Sequence, residues 1–155
     1  MNNADTWLDN YAVSHQNPVN KAIHWVCVPV IVVSLVGLLW SIPVPEAFRQ
    51  ISPALNWGTT FLLAAVVYYF IMSIPLALGM LPVVLAITLA VAWLDSLDAS
   101  LLLLSIVLFV AAWIGQFIGH QIEGKKPSFF EDLQYLMIGP LWILAAVYRR
   151  LGIPY

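Results

Sequence analysis

The sequence predicts an all-α integral membrane protein: four transmembrane helices plus a C-terminal segment that is kinked, re-entrant or a fifth spanning helix. Three observations predict it. Hydrophobic residues make up 62% of the 155 and charged residues only 9%, a balance far outside that of soluble domains. The apolar residues come in blocks of about 20, the length a helix needs to cross hydrocarbon while satisfying its own backbone hydrogen bonds. Between the blocks lie prolines, glycines and short polar turns.

The elements follow in order. The opening MNNADTWLDNY holds two acids and no Lys or Arg, so it lacks the basic start of a cleavable signal peptide and is expected to be retained. Asn17 and Pro18 are a helix cap and a first helical residue, and the first crossing covers residues 22–40. A polar loop holds Ser41 to Asn56. The block 57–94 is too long for one crossing and carries Pro75, Gly79 and Pro82 near its middle. It divides into a tight hairpin, 57–74 and 76–94, with the turn between Ser73 and Leu81. Asp95 and Asp98 mark the next turn, and 101–120 is the fourth crossing. Gly124 and Pro127 stop it, and Ser128 with Glu131 forms a capping box. The C-terminal helical segment, 129–151, is interrupted by Gly139-Pro140. The whole chain, 1–155, reads as one membrane-embedded domain.

Four crossings put Lys21, Lys125 and Lys126 on one face and Arg49 with the two aspartates on the other. The positive-inside tendency makes the first face cytoplasmic, in a bacterial inner membrane or the endoplasmic reticulum. A C-terminal segment that does not cross adds Arg149 and Arg150 to that face. A net charge of −2 gives no footprint for nucleic acid. One cysteine, Cys27, excludes an internal disulfide or a cysteine-rich metal cluster. Trp7, Trp25, Trp40 and Trp57 sit near segment ends, as an aromatic belt does.

Chemistry concentrates at the cytoplasmic face. The chain has three histidines; His24 starts the first crossing, His120 ends the fourth, and His15 lies just before the Asn17-Pro18 turn. Asn20, His24, Cys27 and Ser34 share one side of the first helix, and Ser105, Gln116, His120 and Glu123 share one side of the fourth. Such polar stripes turn away from lipid and toward each other. A helix that begins at Pro18 leaves His15 in a segment able to fold back over the entrance, where three imidazoles can converge on one ion. Neutral imidazoles suit Fe(II), zinc and copper. Glu123 is the candidate catalytic carboxylate, as acid, base or further ligand. Gln116 is a candidate hydrogen-bonding partner behind a ligand. Asn17, Asn20, Lys21 and Lys125 ring the mouth and are candidate substrate-binding residues for an anionic headgroup.

Two motif groups carry a resemblance. The first is Y-x3-H-x-N-P-x-N-K-x-I-H-x4-P, formed by Tyr11, His15, Asn17, Pro18, Asn20, Lys21, Ile23, His24 and Pro29; the second is G-H-x-I-E-G-x-x-P from Gly119 to Pro127, followed by Ile138-Gly139-Pro140. Together they resemble a family of small membrane proteins whose fungal representative is an endoplasmic-reticulum Fe(II)-dependent dioxygenase of 2-hydroxy fatty acids. The resemblance implies α-oxidation: a 2-hydroxy fatty acid and O2 give a fatty acid one carbon shorter and CO2. It implies His15, His24 and His120 as the iron ligands, and a substrate able to chelate through its carboxylate and hydroxyl. Membrane lipid is the other expected partner, and nothing in the sequence specifies an oligomer. Two other readings use the same residues. One is a non-enzymatic lipid-binding or assembly protein whose polar stripes lock its helices; the other is a zinc-dependent lipid hydrolase.

Overall fold

The computed structural model describes residues 3–13, 15–124 and 135–155. Among them are seven helices: α1 Asn3–Val13, α2 Pro18–Trp40, α3 Glu46–Ile51, α4 Trp57–Met72, α5 Ile74–Asp95, α6 Leu101–Glu123 and α7 Ile138–Leu151. No strand occurs among the described residues. Three helices, α2, α5 and α6, are long and apolar enough to cross a membrane, whereas α4 is a shorter apolar helix. Lys125, Lys126, Pro127 and the Ser128–Glu131 capping box lie outside the described residues.

Local chemistry explains the boundaries. The Asn17 side chain accepts a hydrogen bond from Val19 N–H, and Pro18 opens α2 as expected. Helix α4 starts with a capping box between Asn56 and Thr59. The hairpin turn falls at Ser73, whose extended backbone ends α4 and begins α5 with Pro75 in its first turn. Pro82 remains inside α5. Gly124, at φ 74°, ends α6 in the left-handed conformation that a glycine adopts without strain. The predicted interruption at Gly139-Pro140 is instead the first turn of α7, where a proline's missing N–H costs nothing.

Helices α2 and α6 form the most extensive pair, and small residues let them approach. A Cβ on Gly37 would meet Ser105 Oγ, one on Gly115 would sit 2.6 Å from Cys27 Sγ, and one on Gly119 would meet Asn20 Oδ1. The two polar stripes therefore do face each other, with Asn20, His24, Ser34, Ser105, Gln116 and His120 all buried.

Two elements are unanticipated: α3, a short helix inside the predicted loop from Ser41 to Asn56, and α1. In α1, Ala4, Leu8 and Tyr11 recur at helical spacing and are buried, while Trp7 and Val13 point outward. They pack with Ile138, Leu141, Trp142 and Ala145 of α7 and with Met72, Leu76, Ala77 and Met80 around the α4–α5 turn. Two tyrosines fasten this cap: Tyr69 OH donates to the Met137 carbonyl at 2.9 Å and Tyr148 OH to the Pro75 carbonyl at 3.2 Å. The chain leading into α7 reaches deep. Leu136 packs on the cluster of Val32, Leu62 and Ile87, while Arg150, at the other end of α7, lies over the Trp25 ring near the start of α2. The segment thus enters the bundle and returns to the face that holds the histidines.

Candidate metal centre

Three elements each deliver one imidazole. His24 sits two turns into α2, and His120 lies one turn before the end of α6. His15 follows α1, where its backbone N–H bonds the Ala12 carbonyl and closes the turn that brings the chain back. Ring centroids are 4.2 Å apart for His15 and His24, 5.1 Å for His24 and His120, and 5.6 Å for His15 and His120. One ligand atom from each lies within 4.8 Å of the other two. Two nitrogens bound to a single ion stand at most about 4.2 Å apart, so a small inward turn of the rings reaches bonding distance. All three are buried, at 2%, 1% and 5% exposure.

The hydrogen bonds fit a cation. His15 Nδ1 lies 2.6 Å from the Tyr11 carbonyl and His24 Nδ1 lies 3.0 Å from the Asn20 carbonyl. A carbonyl only accepts, so each Nδ1 carries the proton and each Nε2 presents its lone pair. Both carbonyls come from the preceding helical turn, which orients each ring as a metal ligand requires. Tyr11 also stacks on His15 at 4.1 Å and 16°, and Trp142 of α7 packs on both rings. The donor set is three neutral imidazoles in an apolar surround, which fits iron or zinc.

Glu123 is brought to the same end of the molecule without joining the cluster. Its Oε1 accepts from the Gln16 backbone N–H, and its Oε2 from the Asn17 backbone N–H and the Asn20 side-chain amide, each at 2.9 Å. One carboxylate thus ties the end of α6 to the linker that carries His15 and to the first turn of α2. Among the expected substrate-binding residues, Asn17 caps α2 and Asn20 is fully buried against Gly119. Lys21 lines a groove on the outer side of α2 together with Trp142 and Arg150. Lys125 lies outside the described residues. Gln116 is buried one turn from His120, and its Oε1 meets no donor among the described residues. It lines a cavity of about 20 Å³ with Tyr11, Val28, Trp113 and Gly139.

Sequence reasoning missed Tyr11 and Trp142 as the walls of the site, and Gly115 and Gly119 as the residues that bring α6 onto α2. The glycines had a signal in the G-x-x-x-G spacing of 115–119. Tyr11 opens the first motif without a role assigned to it, and Trp142 had no signal, because α1 and α7 meet only in three dimensions.

Fold and site together define a helical protein with a buried three-histidine centre at one end of an apolar bundle. A family model described as Mpo1-like, 2-hydroxy-palmitic acid dioxygenase Mpo1-like, matches residues 1–151, and the chain belongs to that family. It is similar to the 2-hydroxy-palmitic acid dioxygenase MPO1 of Saccharomyces cerevisiae, with 29% identity over 147 residues, 94% of this chain and 79% of the yeast protein. No solved structure matches it.

Proposed function

We propose that this protein is an Fe(II)-dependent 2-hydroxy fatty acid dioxygenase at a membrane surface. The reaction takes R–CH(OH)–COOH and O2 to R–COOH, CO2 and H2O. The observation that carries the reading is the convergence of His15, His24 and His120, from three separate elements, within 4.8 Å in a buried setting. Family membership and the yeast relative support the substrate class. When bound, Fe(II) supplies a redox-active centre with coordination positions left open for other ligands.

The chain's own residues hold, orient and shield. Tyr11 and Asn20 carbonyls hold the protons on His15 and His24 Nδ1, so that both Nε2 atoms face the centre. Tyr11 and Trp142 cover His15 and exclude water. Glu123, Asn17 and Asn20 act as positioning residues that keep α2, α6 and the His15 linker in register. Gln116, buried one turn from His120, is placed as a hydrogen-bonding residue behind the ligands.

In the membrane, α2, α4, α5 and α6 cross. Helix α4 is short for the task, at 16 residues or about 24 Å, and α1 with α7 caps the histidine end. Lys21, Arg149 and Arg150 gather at that end, and the positive-inside tendency then turns the site to the cytoplasm.

The test is incubation of the iron-loaded protein with 2-hydroxypalmitate, with and without O2. A fatty acid one carbon shorter, formed only with O2 and lost in His24→Ala, supports the reading. Metal-dependent turnover of a lipid ester without O2 would replace it with the zinc hydrolase.

A further inference from the structure

A groove of about 590 Å³ runs between the start of α2 and the end of α7. Lys21, Trp25, Trp142, Arg149 and Arg150 line it. The Arg150 guanidinium lies 5.2 Å from the centre of the Trp25 ring, and Arg149 donates to Tyr155 OH at 2.8 Å. Among the described residues, none of the three cations forms an ion pair with a carboxylate. Three positive charges around one concavity, with no carboxylate paired to them among the described residues, favour an anion.

Trp142 borders both places, packing on His15 and lining the groove, and none of the three histidines lines the groove. The anion is therefore not a ligand of the centre. Its chemistry follows from the surroundings. Arg and Lys match the oxygens of a phosphate, and two indoles flank them as at a headgroup layer. Ala22, at the edge of the groove, leads one turn along α2 to Val26, which is 65% exposed, so an apolar track continues from the cations along the helix. A ligand with a phosphate at one end and acyl chains at the other fits both parts.

We infer that the groove binds the phosphate headgroup of an anionic phospholipid, which seats α7 against α2 and leaves the acyl chains along the outer face of α2. The inference rests on the membrane placement proposed above and is independent of the metal and the reaction.

The test is native mass spectrometry of the full-length protein released from nanodiscs of phosphatidylcholine doped with phosphatidylglycerol. The expected result is retention of phosphatidylglycerol in preference to phosphatidylcholine. Removing charges in Lys21→Gln, Arg149→Gln and Arg150→Gln should weaken that preference about fivefold per charge, with metal content unchanged. Equal retention of the two lipids, or a preference the substitutions leave intact, would overturn the site while leaving the dioxygenase reading untouched. Should the variants fail to fold, the unaltered protein still decides. A preference that does not weaken as salt rises is not electrostatic and overturns the site. Competition by inorganic phosphate, with equal stabilisation in lipid-free detergent, would assign the groove to a soluble anion instead. A protein that purifies without detergent would overturn both this site and the membrane placement.

Discussion

Glu123 Oε2 accepts a hydrogen bond from the Asn20 side-chain amide at 2.9 Å, fastening the last turn of α6 to the first turn of α2. His24 is one turn along from Asn20, and His120 is one turn back from Glu123. The bond therefore helps to set the distance between two imidazoles, one of which, His24, also bonds the Asn20 carbonyl.

That relationship predicts the behaviour of Glu123→Gln. The amide keeps one acceptor but turns a donor toward N–H groups, so the clamp is half lost. Metal affinity should fall about 10- to 100-fold, and turnover at saturating Fe(II) should change far less. A large loss of kcat at saturating metal, with unchanged affinity, would make Glu123 a catalytic acid or base and not a clamp.

Removing an imidazole acts directly. His24→Ala and His120→Ala should each lower metal affinity about 100-fold or more, since even residues behind the ligands typically cost 10- to 100-fold. Metal analysis of protein purified by gel filtration reads the result. Full metal content in both variants would exclude the three-histidine site.

Tyr11 offers a graded test of the cap. Its ring stacks on His15 and its backbone carbonyl orients that imidazole. Tyr11→Phe keeps both and should bind metal normally. Tyr11→Ala loses stacking worth about 0.5–1.5 kcal/mol, so affinity should drop by up to about tenfold. Equal affinities for the two variants would show that the ring does not hold His15.

Gly119→Ala probes the approach of α6 to α2. The added methyl meets Asn20 Oδ1 and stands 3.4 Å from the His24 ring. Overpacking of this kind costs about 1–3 kcal/mol, and here it falls beside His24, a proposed metal ligand. A lower unfolding temperature together with reduced metal content is expected. An unchanged protein would mean that the helices are not in contact at Gly119.

Metal exchange separates the two chemistries that three imidazoles permit. After chelation, Fe(II) should restore O2 consumption with 2-hydroxypalmitate, and zinc should restore none. Equal recovery with zinc would contradict an oxidative role for the centre.

The amino-acid sequence by itself determined the long apolar helices α2, α4, α5 and α6 and the identity of the three histidines. Backbone groups must bond internally in hydrocarbon, so apolar runs between prolines and polar turns read directly as helices. Polar residues at helical spacing showed in advance that Asn20 and His24 would face Gln116 and His120. Asn17-Pro18 likewise marked where α2 begins. Only the tertiary structure decided how His15 reaches the others, because that depends on α1 folding back and packing on α7, residues more than a hundred positions away. It also decided that Glu123 grips backbone amides of Gln16 and Asn17, and that Arg149 and Arg150 join Lys21 around one groove. Helix periodicity reports which face a residue occupies within its own segment. The partner that face meets is set by packing between segments, and no local pattern encodes it.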